Sequence, residues 1–584
     1  MKKIYLLPAA ALALALGACS NDDVVPTAGD NPQWNAEGKG YVSLAINLPK
    51  EKATLNRAPN DVFDDGTPEE YDVKNAVLLV FAGADEASAR LQGAYNLTLP
   101  TFGGVDDDPN QITSTVQLTQ AINQVNGAEA YALVALNTGG VMTVDESNTL
   151  TFAGEPSAFT GTFQEFQAKT MTMANGDVTS IAGSANGFFM TNAPLASAVG
   201  AADFQGTVST LTSLNNQIYS TEAEAASNPA AEVYVERAVA KVEVTATTNS
   251  GTLPTAGNLA WTINGWALDK TNMTSYVTRN ANTASGWWGY QNENNGFRFI
   301  GTSEVATGAG YRTYWATDPN YADQQTGLHR LNARPADSEF AAVGSVKYCL
   351  ENTFDVAHMN KDLTTTVYVK ATIGDGSDFF TLGNTRTTTY TKANLDEHAK
   401  AAFIADPAVT AALTANLQAN QTFTNDDIEA VTYSTDQAGT WTVTGVTYAD
   451  DAAAKFDGGV IPEVLAAGGT AYQAGVQNAT DLGIECYKGG VSYYPVLIKH
   501  FGDDLTPWSQ TGSDSYPAPN AENNWLGRYG VLRNNWYRVN VTGISNLGDP
   551  IIEEVTGPDD PTQAYISVEI NVLSWAVRTQ NVEL

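Results

Sequence analysis

The sequence predicts a mainly β protein, two β-sandwich domains with a few short helices. Three observations carry this. Apolar residues alternate with period two in segments spread along the chain. Charged residues make up only 16%, while Thr, Asn, Gly and Ala are abundant, a mix typical of extracellular β-rich proteins. One longer stretch, 392–418, is rich in Ala, Leu, Lys and Asp, and suits two short helices split at Pro407.

The elements follow in order. Residues 41–48 place Val42, Leu44, Ile46 and Leu48 on one face of a half-buried strand. Residues 49–59 lack a strand pattern and read as an exposed loop, followed by an acidic stretch to Asp72. Ala76–Phe81 and Ala130–Leu136 are continuous apolar runs suited to central strands. Phe163–Met173 reads as a short helix, and Phe188-Phe189-Met190 opens another ordered element. Val233–Val244 reads as a strand pair with a switch, beside which a domain boundary falls. Beyond it, Leu259–Leu268, Thr364–Ile373, Thr440–Val446, Gly490–Lys499, Trp536–Ile544 and Tyr565–Trp575 read as strands. The expected division is 58–230 for an N-terminal sandwich and 231–584 for a C-terminal one carrying 392–418 as a helical insertion.

The beginning of the chain has a separate purpose. Lys2 and Lys3 precede an apolar run, Ile4–Leu16, too short to span a bilayer as a helix. Leu16-Gly17-Ala18-Cys19 then places a cysteine after small residues. Residues 1–18 are expected to be a signal peptide and Cys19 the lipid-attachment residue of an exported lipoprotein precursor. Residues 20–39 have a tether's composition.

The formal charge of −34 makes nucleic acid and anionic lipid surfaces unsuitable partners. Apart from Cys19 only Cys349 and Cys486 occur; an exported compartment permits a disulfide between them, and two small buried thiols explain them equally. His329, His358, His398 and His500 are scattered, so no metal site is expected. Asp61, Asp65 and Gly66 fall at calcium-loop offsets, but Phe63 stands where an oxygen ligand is needed. Trp287-Trp288-Gly289-Tyr290 could stack on sugars, and packing explains it better. No nucleophile, phosphate-loop or dinucleotide motif is present, so no catalytic residues, cofactor or enzymatic activity are expected.

The two ends correspond. Ile566, Val568, Ile570 and Val572 repeat the alternation of Val42, Leu44, Ile46 and Leu48, and the tail adds Val577, Val582 and Leu584. A C-terminal strand could therefore fill a groove built for the N-terminal one. Four buried aliphatics are worth roughly 6–12 kcal/mol before ordering costs. Arg57 lies between the first strand and the acidic stretch, with Lys50 and Lys52 nearby. A trypsin-like cut between Arg57 and Ala58 would remove Cys19, its lipid and strand 41–48 together. The lipidated propeptide is then 19–57, with 41–48 as a plug strand.

At these residues the sequence resembles the major fimbrial subunit (fimbrillin) family of type V pili, in particular the Mfa-type major subunits of short fimbriae. The resemblance runs along nearly the whole chain, through Gly40–Leu44, Asn56-Arg57-Ala58, Tyr71–Phe81, Val235–Val242, Leu350–Phe354, Tyr487–Tyr494 and Val531–Tyr537. It implies transthyretin-like β-sandwich domains and lipoprotein transport to the outer membrane and cell surface. It also implies cleavage after Arg57 by an Arg-specific protease, and polymerisation by donor-strand exchange with other copies and accessory pilus subunits. The donor would come from 565–584, with 565–575 and 576–584 both open. Insertion 392–418 departs from shorter members. Two other functions are carried alongside this shaft subunit: an accessory or tip adhesin of the same pilus, and an anchored glycan-binding lipoprotein.

Overall fold

The computed structural model describes residues 33–48, 66–99, 115–198, 207–281, 299, 306–307, 310–321, 327–355, 358–359, 362–383, 385–435, 440–502, 506, 526–553, 566–574 and 578–579. Strands dominate, as the sequence predicts. Among these residues no helix is long and apolar enough to cross a membrane.

The first sheet has the order Ile218–Tyr219, Lys39–Asn47, Ala231–Arg237, Met190–Asn192, Glu129–Leu136, Ala76–Gly83, Arg90–Asn96, with Thr115–Asn123 also paired to Lys39–Asn47. Ala76–Gly83 and Glu129–Leu136 pair antiparallel along their length, from Ala76↔Leu136 to Gly83↔Glu129. Leu78, Leu79, Val80, Leu133, Val134 and Ala135 are all buried, and their unbroken apolar runs follow from a sheet covered on both faces. Phe81 meets Phe163 and Phe166 edge-on at ring separations of 5.6 and 5.8 Å.

The helix read as Phe163–Met173 ends earlier, at Gln167. Thr162 and Glu165 form its capping box, and Thr170–Thr172 is already a strand paired with Thr274–Tyr276. Met171 alternates between two exposed threonines and enters the core, so strand periodicity wins there.

The switch in Val233–Val244 falls at Ala238 and Val239. Ala231–Arg237 belongs to the first sheet, although a boundary at 230/231 would assign it to the second unit. Ala240–Ala246 runs in another sheet, ordered Val346–Cys349, Ala240–Ala246, Asn535–Ile544, Ile566–Ser574, Arg578–Thr579. A four-stranded sheet of Ser250–Leu253, Leu259–Asp269, Thr366–Ile373 and Val491–Leu497 shares its core, with Val242, Val244, Val539 and Val541 from one sheet and Trp261, Val367, Val369 and Val496 from the other.

Thr366–Ile373 and Val491–Leu497 are antiparallel neighbours, from Thr366↔Leu497 to Thr372↔Val491. The chain between them leaves the sandwich and returns. It builds a five-stranded sheet and the helices Lys392–Ala405, Pro407–Asn416 and Thr470–Thr480 around a separate core. The first two helices meet at Asp406, whose carboxylate accepts the amide hydrogens of Ala408 (2.8 Å) and Val409 (3.2 Å) ahead of Pro407. Segment 392–418 is thus one part of a larger inserted unit.

Cys349 lies in the sandwich core and Cys486 in the core of the inserted unit; both are free thiols. Burial pushes the Cys349 thiol up to about 12 and Cys486 to about 11, which keeps both protonated.

Candidate functional site

The first strand, Lys39–Asn47, has neighbours on both edges. Thr115–Asn123 runs antiparallel to it along the full length, from Lys39↔Asn123 to Asn47↔Thr115. On the other edge Ile218–Tyr219 pairs with Tyr41 and Val42, and Ala231–Arg237 runs parallel from Leu44↔Ala231 to Asn47↔Tyr234. Val42, Leu44, Ile46 and Leu48 all enter the first core, as their alternation requires. Gly40 is needed because a Cβ there would stand 2.6 Å from Ile218 and 2.7 Å from the Trp34 ring.

The opposite face of this strand is partly covered, with Tyr41 and Ala45 half-buried. Ser43 is 2% exposed and Asn47 6%. Helix Glu222–Ser227, started by the Thr221/Glu224 capping box, packs against both the first strand and Thr115–Asn123. Burying polar groups requires partners. Ser43 Oγ accepts a bond from Gln117 Nε2 at 3.2 Å, and Asn47 Oδ1 accepts one from Thr115 Oγ1 at 2.7 Å. Alternation reveals the apolar face but is silent about these four residues.

Near the end of the acidic stretch, the chain is fastened again at Glu70. This residue ends the first turn of helix Pro68–Tyr71 and is 1% exposed. Its carboxylate accepts the Thr67 amide hydrogen at 2.8 Å and pairs with Lys241 Nζ at 2.8 Å, while the Tyr348 hydroxyl also donates to it. Arg237 Nε donates to the Glu70 carbonyl at 2.9 Å. Lys241 and Tyr348 belong to the second sheet, so two of the groups that hold residue 70 lie outside the first strand's neighbourhood. Burial and the Glu70 carboxylate raise the Tyr348 pKa, so its phenol stays protonated and donates.

Ile566–Ser574 pairs antiparallel with Asn535–Ile544, from Ile566↔Ile544 to Ser574↔Asn535. Arg578–Thr579 folds back on it at Val572 and Asn571. Ile566, Val568, Ile570 and Val572 are therefore in the second sheet, and the structure does not bring them to the first strand of their own chain. Cys19, Arg57, Ala58, Val577, Val582 and Leu584 lie outside the described residues, as do Asp61, Asp65, Phe63 and the Trp287–Tyr290 cluster.

A cavity of about 570 Å³ is lined by Glu86, Gln164, Gln167, Tyr276 and Asn280 among others. Glu86 accepts the amide hydrogens of Thr210 (2.8 Å) and Leu211 (3.3 Å), and burial raises its pKa. Its bonds tie one loop to another. Among the described residues no group of three or more His, Cys, Asp or Glu is placed to hold a metal ion.

No curated protein sequence matches this chain. Among solved structures, a fimbrilin from Porphyromonas gingivalis aligns over 92% of this chain and 99% of its own, at 13% identity and a TM-score of 0.33. The tip fimbrial protein Mfa3 from Porphyromonas gingivalis aligns over 92% and 100%, at 10% identity and a TM-score of 0.31. Residues 485–581 match the sequence profile of the major fimbrial subunit protein type IV, fimbrillin, C-terminal family. That segment holds Val491–Leu497, Asn535–Ile544 and Ile566–Ser574. This match supports the resemblance read from the sequence over the C-terminal part of the chain, which is similar to the C-terminal region of fimbrillins, the major fimbrial subunits.

Proposed function

We propose that this protein is a structural subunit of a surface fimbrium that polymerises by exchanging its first strand for a C-terminal strand of another copy. The observation that carries this reading is the position of the first strand. It is buried in the core and hydrogen-bonded on both edges, yet it precedes Arg57 in the sequence. One cut after Arg57 separates it covalently from everything that holds it. Glu70 fastens the chain beyond the cut through Lys241, Tyr348 and Arg237, so the loss of residues 1–57 leaves that anchor in place. The emptied groove has an apolar floor and two open strand edges, which a strand from a neighbour can satisfy.

In this reading the precursor is exported, lipidated at Cys19 and held at the outer membrane. Strand 41–48 plugs the groove until an Arg-specific, trypsin-like protease cuts between Arg57 and Ala58. The subunit then joins other copies and accessory pilus subunits in a fimbrium that supports adhesion and biofilm formation. The sheets divide into two sandwich units at Ala238-Val239, and the C-terminal unit carries the insertion. The work is done by strand pairing, with no catalytic residue and no cofactor.

Purified precursor without residues 1–18 should give a ladder on unboiled SDS gels after treatment with an Arg-specific protease. Arg57→Ala should remain monomeric under the same treatment. Clean cleavage after Arg57 that leaves only monomer sinks the proposal.

A further inference from the structure

The segment Val42-Ser43-Leu44-Ala45-Ile46-Asn47-Leu48 and the segment Ile566-Ser567-Val568-Glu569-Ile570-Asn571-Val572 share more than apolar alternation. Serine stands at the second position of both, isoleucine at the fifth and asparagine at the sixth. The serine and asparagine are the residues for which the groove has polar partners, Gln117 for Ser43 and Thr115 for Asn47. Resting on the strand-exchange reading above, we infer that the groove sets the register of the incoming strand through these two polar keys, and that 566–572 is the strand that carries them.

A slip by one residue turns the whole apolar set to the wrong face. A slip by two keeps the apolar face, so apolar side chains alone cannot exclude it. The polar keys can. In the matched register Asn571 meets Thr115 and Ser567 meets Gln117. Shifted by two in one direction, Asn571 sits where Ala45 was, with Glu569 at the Ser43 position and Leu573 at the Asn47 position; shifted the other way, Glu569 takes the Asn47 position and Tyr565 the Ser43 position. A buried group left without its partner costs about 1–3 kcal/mol, enough to decide between registers.

The tail beyond residue 575 does not fit. With Asn581 at the Asn47 position, Arg578 and Gln580 fall at the positions of Leu44 and Ile46, which face the core. The move also improves backbone pairing for the donor. In its own sheet 566–574 has one long partner, Asn535–Ile544, and a two-residue one. The groove offers Thr115–Asn123 along its length and Ala231–Arg237 over the last four residues.

One position is worse than in the plug. Glu569 takes the place of Ala45, whose neighbours in register are Gln117 and Glu232. A carboxylate beside Glu232 weakens the exchanged strand relative to the plug. The plug is thus the better-fitting strand, and the groove stays shut until the plug is cut away.

The test mixes two cleaved full-chain variants, Thr115→Cys in one and Asn571→Cys in the other, and follows disulfide-linked dimers under mild oxidation. A parallel mixture pairs Thr115→Cys with Asn581→Cys. The inference expects a ladder, with cross-links in the first mixture and at least tenfold fewer in the second. A ladder with cross-links to position 581 and none to 571 overturns the register while leaving strand exchange standing. A groove that forms no ladder at all overturns both. Independently, Asn571→Ala and Thr115→Ala should each slow ladder formation about five- to tenfold and, combined, slow it no further, as expected for one hydrogen bond. Glu569→Ala should speed it; unchanged rates in all three would also overturn the inference.

Discussion

At Lys241 one ammonium group serves several buried partners. It pairs with Glu70 at 2.8 Å and lies 3.6 Å from the centroid of the Trp536 ring. Both charges are sealed from water, with Lys241 at 2% exposure. An ion pair so placed gains little over well-packed apolar side chains, but breaking it on one side strands a charge. Lys241→Ala should therefore destabilise the folded subunit by about 3–5 kcal/mol, measured as a lower urea midpoint at unchanged slope. The double replacement Lys241→Met with Glu70→Leu should recover most of that loss. If the single variant unfolds at the same midpoint as the parent, Glu70 is not held in the manner described. A second sealed pair shows the same logic: Arg533 binds Glu351 at 2.5 Å and Ser275 Oγ at 2.7 Å. None of these charges stands out in the sequence, where Glu70 is one of many carboxylates and Lys241 one residue in an alternating strand.

Among the elements, helix Thr470–Thr480 depends most on its surroundings. Its eleven residues include three Ala and two Gln, but two Thr, a Val, an Asn and the interior Gly475 lower its intrinsic helix propensity. Gly475 explains why it forms. A Cβ there would stand 2.7 Å from Phe403 and 2.8 Å from Val409, side chains of the two preceding helices. The glycine lets three helices close on one core. Gly475→Ala would gain about 1 kcal/mol of propensity and lose about 1–3 kcal/mol to overpacking, so packing should win. Hydrogen exchange in 392–480 should accelerate in this variant while that in the first sheet stays unchanged. Equal or slower exchange would show that the helices can separate freely. The same contrast explains what the sequence made legible. Val42 to Leu48, Ala76–Phe81, Ala130–Leu136 and the long C-terminal strands carry their own pattern and are legible in the sequence. Helix Thr470–Thr480, the early stop after Gln167 and the role of Thr115–Asn123 as partner of the first strand depend on contacts far away in sequence. Periodicity says which face is buried. It does not say which strand lies alongside, so the apolar floor of the groove was readable, while Ser43, Asn47, Gln117 and Thr115 were not.

On the scale of the whole molecule, the inserted unit is a hairpin connection grown into a folded body. All of its fully buried core residues, from Phe380 to Cys486, lie between two strands that are already neighbours in the sandwich. At its base Phe379 pairs with Tyr487 across the ladder, and their rings stack at 4.6 Å. Tyr487 belongs to the sandwich core, where its hydroxyl donates to the Gly548 carbonyl at 2.8 Å. The division between the two cores therefore falls just outside this pair. Arg386 makes a polar link back, to Asp549 at 2.7 Å; excision removes it, and Asp549, with its side chain 24% exposed, keeps contact with water. Replacing 380–486 by Asn-Gly should close Phe379 and Tyr487 into an ordinary two-residue hairpin. The shortened chain should unfold cooperatively and, after cleavage at Arg57, should still form ladders, because neither the groove of the first strand nor Ile566–Ser574 lies in the excised part. Fragment 378–488 should in turn fold alone, read as dispersed amide resonances in an NMR spectrum. Loss of ladders from a shortened chain that remains folded would mean that the inserted unit is needed in the contact between subunits. Ladders that persist would leave it free on the outside of the polymer, where it could change in sequence without disturbing assembly.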